Sequence, residues 1–279
     1  MLKKYLKNVR DFHPLIHNIT NYVTVNDVAN ILLACGASPI MADEPEEAEE
    51  ITSICNGLNI NIGTLNSRTI PAMLAAGKKA EELGHVLLLD PVGAGASRLR
   101  TDTALNLINN IQFDVIRGNI SEIKALAKCG GHTKGVDADA KDEIQKDNLE
   151  QAISFIQTFA KETGSIIAVT GAIDIVADKD TAYVIQNGRA EMGKITGTGC
   201  QLSGLITAFL AANQQHSLEA AATAVTVMGI AGDIGWSDMQ TGDGNSTYRN
   251  RIIDAVYHMD GDTLEKMAKI RKIATKEEA

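Results

Sequence analysis

Two periodicities divide the chain. Through its first two thirds, short continuous apolar runs alternate with longer segments whose apolar residues return every three or four positions. Ala37–Ala42, Asn59–Gly63, Val86–Asp90, Asp114–Arg117 and Ile166–Thr170 read as strands. Several of these runs show no polar alternation, as expected of strands covered on both faces in a parallel sheet. Ile173–Ala177 and Ala182–Gln186, joined by the charged turn Asp178–Asp180, read as a further pair. Helical spacing covers Val25–Cys35, Glu46–Cys55, Ile70–Leu83, Asp102–Asn109, Ser121–Lys128 and Leu149–Thr163, and Gly130–Glu143 reads as a long surface loop. From Thr198 onward the pattern is helical, in four segments: Thr198–Asn213, Leu218–Ile234, Thr247–Met259 and Thr263–Lys272. The order predicts one α/β domain over residues 1–279, a three-layer α/β/α sandwich with a mostly parallel central sheet and a helical C-terminal part. In open α/β sheets ligands bind beyond the carboxyl ends of the strands, so the residues that follow each strand are the first candidates for chemistry.

Composition narrows the function classes. With 44% hydrophobic but only 4% aromatic residues, the core must be built mainly from Ala, Ile, Leu and Val. A formal net charge of −9 argues against a nucleic-acid partner, though phosphate ligands stay open because local amides and metal ions hold them. Cys35, Cys55, Cys129 and Cys200 form no CxxC pair and read as reduced thiols of a cytoplasmic protein, the first three as packing residues. The N-terminus lacks the apolar core of a signal peptide, and the longest apolar run, near Leu202–Ala212, is too short to cross a bilayer, so no membrane partner is expected.

The strongest local signal is Gly193-Lys194-Ile195-Thr196-Gly197-Thr198-Gly199-Cys200, which runs straight into an apolar helix. The glycines permit close approach of a ligand, and the unpaired first amides of the helix form an anion site suited to phosphate. An ordinary turn before a buried helix is the alternative; neither a Walker A nor a GxGxxG pattern is present. Asp90, followed by Pro91-Val92-Gly93-Ala94-Gly95-Ala96, ends an apolar strand and suits a Mg²⁺ ligand or a helix cap. After the next strand, Asn119 and Glu122 could position metal-bound water near a polyphosphate, or close a capping box; both can hold at once. Thr170-Gly171 offers a hydroxyl and an amide at another strand end.

These segments resemble the ribokinase-like superfamily and, within it, the hydroxyethylthiazole kinase family of thiamin salvage. His17-Asn18-Ile19-Thr20-Asn21-Tyr22-Val23, Gly36-Ala37-Ser38-Pro39-Ile40-Met41, Asn61-Ile62-Gly63-Thr64-Leu65, Asp90–Ala96, Arg117–Glu122 and Thr196–Cys200 occur in the family's order. The resemblance implies a kinase that moves the terminal phosphoryl group of ATP onto a thiazole alcohol with Mg²⁺. It places Asn21 and Met41 in the thiazole pocket, Gly63 and Thr64 near it, and Gly197 at the reacting end. It places Arg117 and Thr170 on nucleotide phosphates, with Asn119 beside them, and Asp90 and Glu122 on Mg²⁺ and its waters. The Thr198, Gly199 and Cys200 amides become the anion hole. Cys200 stands where most ribokinase-like enzymes carry an aspartate base, so its role as base, late proton acceptor or spacer stays open. The resemblance also implies a homotrimer with active sites between subunits. Another ribokinase-like kinase, of hydroxymethylpyrimidine or sugar, and a nucleotide-binding regulator without turnover are the rival expectations.

Among the remaining candidates, His17 suits either substrate contact or a structural role. The run Asp43-Glu44-Pro45-Glu46-Glu47 reads as a helix start. Met228, Met239, Met259 and Met267 read as core or interface packing.

Overall fold

The strand Val86–Asp90 shows how this sequence builds its layers. All five residues are buried; Val86 and Leu88 join one apolar core, while Leu87 and Leu89 join another on the opposite face of the sheet. Side chains alternate across a strand, so a strand buried on both faces needs an unbroken apolar run. Each such Leu or Val contributes about 1.5–3 kcal/mol when fully buried.

The computed structural model describes residues 2–130 and 144–274. In chain order the elements are α1 (Lys3–Phe12), β1 (Leu15–Ile19), α2 (Val25–Cys35), β2 (Ser38–Met41), α3 (Ala48–Ile54), β3 (Gly57–Asn61), α4 (Thr69–Leu83) and β4 (Val86–Asp90). Then follow α5 (Arg98–Asn110), β5 (Val115–Asn119), α6 (Ile120–Cys129), α7 (Leu149–Thr163), β6 (Ile166–Thr170), β7 (Asp174–Ala177) and β8 (Thr181–Ile185). The chain closes with α8 (Thr198–Ala211), α9 (Ser217–Ser237), α10 (Asn245–His258), α11 (Gly261–Met267) and β9 (Ile270–Ala274). Among the described residues the strands form one nine-stranded sheet, ordered β2-β1-β3-β4-β5-β6-β7-β8-β9. The pairs from β2 to β6 are parallel, and β6 through β9 pair antiparallel. Residues of α1, α2, α8, α9, α10 and α11 fill the core on one face, and those of α4, α5, α6 and α7 fill the other. This is the expected three-layer α/β/α arrangement.

Four expectations need correction. β1, which carries His17 and Asn18, had no place among the expected strands, because its buried polar residues break the apolar run. The segment expected as a helix over Thr263–Lys272 divides into α11 and the edge strand β9, whose Ile270 and Ile273 stand three apart, a helical rather than a strand spacing. By length and composition α9 with its preceding turn, Gln214–Ser237, could span a bilayer, so Leu202–Ala212 is not the longest such stretch. Within Gln214–Ser237, however, 83% of the apolar window is buried inside the protein. Cys129 is exposed at the end of α6 rather than packed, whereas Cys35 and Cys55 are buried. The loop expected at Gly130–Glu143 lies, apart from Gly130, outside the described residues.

Candidate active site

Strand ends and one helix start converge on a small buried cluster. β3 ends at Asn61 and β4 at Asp90, paired side by side in register. Asp90 is fully buried, and its Oδ2 accepts from Asn61 Nδ2 at 2.7 Å and from the Ser203 hydroxyl at 2.7 Å. Its Oδ1 has no hydrogen-bond partner among the described residues and lies 3.6 Å from Arg117 Nη1. Burial pushes the Asp90 carboxyl above its ordinary range, against the opposing pull of Arg117 and the Ser203 hydroxyl.

Arg117, near the end of β5, donates through Nη2 to the Thr170 hydroxyl at the end of β6. Its guanidinium packs against the start of α8: a Cβ at Gly199 would stand 2.5 Å from Nη1. Only glycine admits that approach. Gly197 caps the helix at φ 89°, a left-handed conformation suited to glycine, and a Cβ there would strike Thr24 Cγ2 at 2.4 Å. No side chain caps α8, and the Gln201 amide is bonded to the Gly197 carbonyl, so the Thr198, Gly199 and Cys200 amides precede that bond. Amides at such a position, backed by the helix dipole, suit a phosphate oxygen.

Cys200 sits between these parts. Its Sγ accepts from Asn21 Nδ2 at 3.2 Å and Asn61 Nδ2 at 3.3 Å. Burial raises the thiol pKa, and the Asp90 charge raises it further. Asn21 Nδ2 also donates to Asn61 Oδ1, its own Oδ1 accepts from Thr24 Oγ1, and the Tyr22 amide donates to Thr64 Oγ1. The Gly63 amide donates to Asn61 Oδ1 and its carbonyl accepts from Arg100. Asn21, Gly63, Thr64 and Gly197 thus gather around Asn61, Thr24 and Cys200. Met41 ends β2, two strands from β3, half-buried and joined to this group by no hydrogen bond in the structure.

Asn119 and Glu122 form the capping box of α6: Glu122 donates its amide to Asn119 Oδ1, and Glu122 Oε2 accepts the Asn119 amide, both at 2.8 Å. Glu122 Oε1 accepts from the Gly93 amide, which pins the glycine loop after β4 to the start of α6. His17 is fully buried, with Nδ1 2.9 Å from Thr52 Oγ1 and Nε2 2.7 Å from the Ala42 carbonyl, so it ties three segments together. Asp43 to Glu47 lead into α3, of which Glu47 is the N-cap, and Glu44 pairs with Arg68.

A cavity of about 580 Å³ opens beside Arg117, Thr170, Thr198 and Gly199 and extends to Met192, Val225 and Met228. A volume of this size holds a ligand the size of a nucleoside. Asp174 lines it too, with its carboxyl pushed up to about 7 by burial against the Gly171 amide and Arg117. Asn61, Ser203 and Asp174 were not singled out from the sequence. Asn61 could have been found by the rule that drew attention to Asp90, since it too is a polar residue closing a buried strand.

Comparison with known proteins identifies the family and the fold. The model of the hydroxyethylthiazole kinase family matches residues 6–262. A hydroxyethylthiazole kinase of Clostridium acetobutylicum is 59% identical over 269 residues, 96% of this chain and 98% of that one. The solved hydroxyethylthiazole kinase of Pyrococcus horikoshii OT3 superposes with a TM-score of 0.87 at 35% identity, covering 98% of each chain. The pyridoxal kinase of Staphylococcus aureus in complex with ADP shares the fold, with a TM-score of 0.61 at 16% identity over 93% of this chain and 98% of that one. By sequence and by structure, the chain belongs to the hydroxyethylthiazole kinase family.

Proposed function

We propose that the chain transfers the terminal phosphoryl group of ATP to the primary alcohol of 4-methyl-5-(2-hydroxyethyl)thiazole, a reaction of thiamin salvage. One observation carries the reading. The amide-bearing start of α8 lies against the Arg117 guanidinium, which pairs with the buried Asp90, and Asp90 and Cys200 meet at one Asn61 amide beside that contact. The 580 Å³ cavity supports the nucleotide on the Arg117–Thr170 side, and the Asn21–Gly63–Thr64 side supports the alcohol, with Met41 and Gly197 at its margins.

The alcohol oxygen attacks the γ-phosphorus in line. A new O–P bond forms as the bond to the bridging oxygen of ADP breaks, and the alcohol proton leaves late. The amides of Thr198, Gly199 and Cys200 bind equatorial charge as it develops, and Arg117 neutralises the phosphates from the other side. Phosphoryl transfer demands little early proton abstraction, so a neutral thiol at position 200 is tolerable and positioning supplies most of the rate. The residues fit Mg²⁺: Asp90 presents a buried oxygen that no hydrogen bond among the described residues satisfies, and Glu122 stands in the first turn of α6, just after the neighbouring strand β5. Mg²⁺ keeps several waters and is usually held by one or two carboxylates together with substrate phosphate oxygens. When held through Asp90 and Glu122, Mg²⁺ would supply positive charge that offsets the charge of the phosphates. Asn119 acts by holding Glu122 in place.

A homotrimer in the cytoplasm completes the reading. Tyr22 and Val23, 76% and 58% exposed next to Asn21, give the alcohol side an uncovered apolar rim that a second copy would close. Incubation with Mg·ATP and the thiazole alcohol tests the function. Phosphorylated thiazole supports it. Turnover only of hydroxymethylpyrimidine or sugar alcohols, or ATP binding without turnover of any, overturns it.

A further inference from the structure

Asn61 has not been given a task, yet more of the site meets at its side chain than at any residue assigned one. It is 1% exposed and closes β3. Its orientation is unambiguous because the two ends of the amide face groups of opposite kind. Oδ1 accepts from the Gly63 backbone amide at 2.9 Å, a group that can only donate. Nδ2 therefore faces Asp90 Oδ2 at 2.7 Å, a carboxylate, and Cys200 Sγ at 3.3 Å. The Asn21 amide is fixed in turn, since its Nδ2 meets Asn61 Oδ1 at 3.0 Å and Sγ at 3.2 Å while Thr24 donates to its oxygen at 3.1 Å. Two N–H groups thus point at one sulfur.

The Asp90 carboxylate is held from one side only. Asn61 and Ser203 both donate to Oδ2 at 2.7 Å, and Oδ1 is left without a hydrogen-bond partner, 3.6 Å from Arg117. A carboxylate anchored through one oxygen cannot rotate to offer the other to its anchors. It presents Oδ1 towards the cationic side of the site. Ser203 lies one turn along α8 from Gly199, whose carbonyl is within 3.2 Å of its hydroxyl, so the helix that carries the amide cluster also carries this anchor. The Asn61 amide hydrogen-bonds both Asp90 and Cys200.

We propose that Asn61 and Ser203 are positioning residues of the phosphoryl transfer. Both fix the Asp90 carboxylate with Oδ1 outward, and Asn61 also couples that carboxylate to Cys200 by holding the sulfur as an acceptor. This rests on the kinase reading, and it goes beyond that reading by assigning the geometry of Asp90 and Cys200 to residues that meet neither substrate. Asn61 also offers a reason why a thiol is accommodated here: the single amide serves a carboxylate and a soft acceptor at once, where two adjacent carboxylates would repel.

The test combines turnover with a measurement on the protein free of metal and nucleotide. Asn61→Leu, close in volume, should lower kcat by about tenfold or more, and because Oδ1 also holds Asn21 and the Gly63 amide the KM for the alcohol should rise beside that loss of kcat. In a Cys200→Ala background the same substitution should cost at least about threefold less, because one of its two partners has already gone. Ser203→Ala should lower kcat with KM kept, and Ser203→Thr, which keeps the hydroxyl, should recover most of the loss. In the free protein, the side-chain ¹⁵N–¹H resonances of Asn61 should move on Cys200→Ala and on Ser203→Ala. Alkylation of Cys200 by iodoacetamide, resolved by mass spectrometry, should change in rate on Asn61→Leu. Equal penalties in both backgrounds, a loss confined to KM, or Asn61 resonances indifferent to both substitutions would overturn the proposal. Should Asn61→Leu fail to fold, the Ser203 pair and the wild-type resonances still decide it. If the wild-type protein leaves the thiazole alcohol untouched, the kinase reading falls, while the resonances and alkylation rates still judge the coupling of Asn61 to its partners.

Discussion

Substituting alanine for Gly199 separates the anion site from the fold. Gly199 lies in the first turn of α8, and it is not among the glycines that adopt a left-handed backbone. Alanine is therefore compatible with the chain path, and within a helix it is favoured over glycine by about 0.8–1 kcal/mol, less at an end. Stability should stay level or rise slightly. The new methyl group would stand 2.5 Å from Arg117 Nη1, 2.8 Å from Nη2 and 3.0 Å from Cζ. Real Cβ contacts are not that short, so the guanidinium must withdraw. It is the end of a flexible side chain, which makes its withdrawal cheap for the fold. For the site it is costly, since moving Arg117 breaks its bond to Thr170 and its pairing with Asp90. Removing one donor from a charge-stabilising site costs about 10²–10³ in turnover, and the methyl group also intrudes on the phosphate position. The expected result is a kcat lower by about 100-fold, with the thermal midpoint unchanged or raised by a few degrees. A steady-state assay of ADP release and a calorimetric scan on the same preparation measure both. Unchanged turnover would refute the anion-site assignment, and lost turnover matched by a fallen midpoint would refute the claim that Gly199 serves the ligand rather than the fold.

Other expectations follow from single groups. Asp174, raised to about 7 by burial, is largely protonated in mildly acid solution, so its charge appears inside the cavity only as pH rises through that value. ADP affinity should therefore fall from pH 6 to 8 by more in the wild type than in Asp174→Asn, as measured by calorimetry; identical slopes would contradict this. The same sign holds for stability, where the neutral group's advantage is complete below its ordinary range near 3.8 and lost through about 7. Cys200→Ala should lower turnover less than Asp90→Ala, because positioning and phosphate charge outweigh base catalysis here; the opposite order in kcat would mean the sulfur is a required base. Asn119→Ala removes the N-cap of α6 and should cost about 0.5–2 kcal/mol in urea unfolding, and it should lower kcat by loosening Glu122. A stability loss with kcat unchanged would confine Asn119 to the cap.

The layers of the fold were legible because β4 and its neighbours are apolar on both faces, and a run such as Val86–Leu89 has few other readings. β1 was hidden for the same physical reason in reverse. Its interior holds His17 and Asn18, whose polar atoms are satisfied by Thr52, the Ala42 carbonyl and the Ile16 carbonyl, and those partners come from distant or local contacts that periodicity does not report. β9 reads as helix in the sequence because Ile270 and Ile273 stand three apart and continue the preceding helical pattern. In the site, Asp90, Arg117, Thr170 and the start of α8 could be read from their places after apolar runs. The buried links Asn61–Asp90 and Ser203–Asp90 could not, since they depend on the register of β3 beside β4 and on α8 crossing both. Asn119 and Glu122 carried both readings in sequence, and the capping box now accounts for their spacing.

The central claim is that the transferred phosphoryl group rests on the first amides of α8. A crystal structure with Mg²⁺, a non-hydrolysable ATP analogue and the thiazole alcohol tests it most directly. The account predicts terminal phosphate oxygens within about 3 Å of the Thr198–Cys200 amides and the Arg117 guanidinium, with the alcohol oxygen on the Asn21 side of Cys200. Phosphates bound elsewhere, with those amides facing only water or protein, would contradict it.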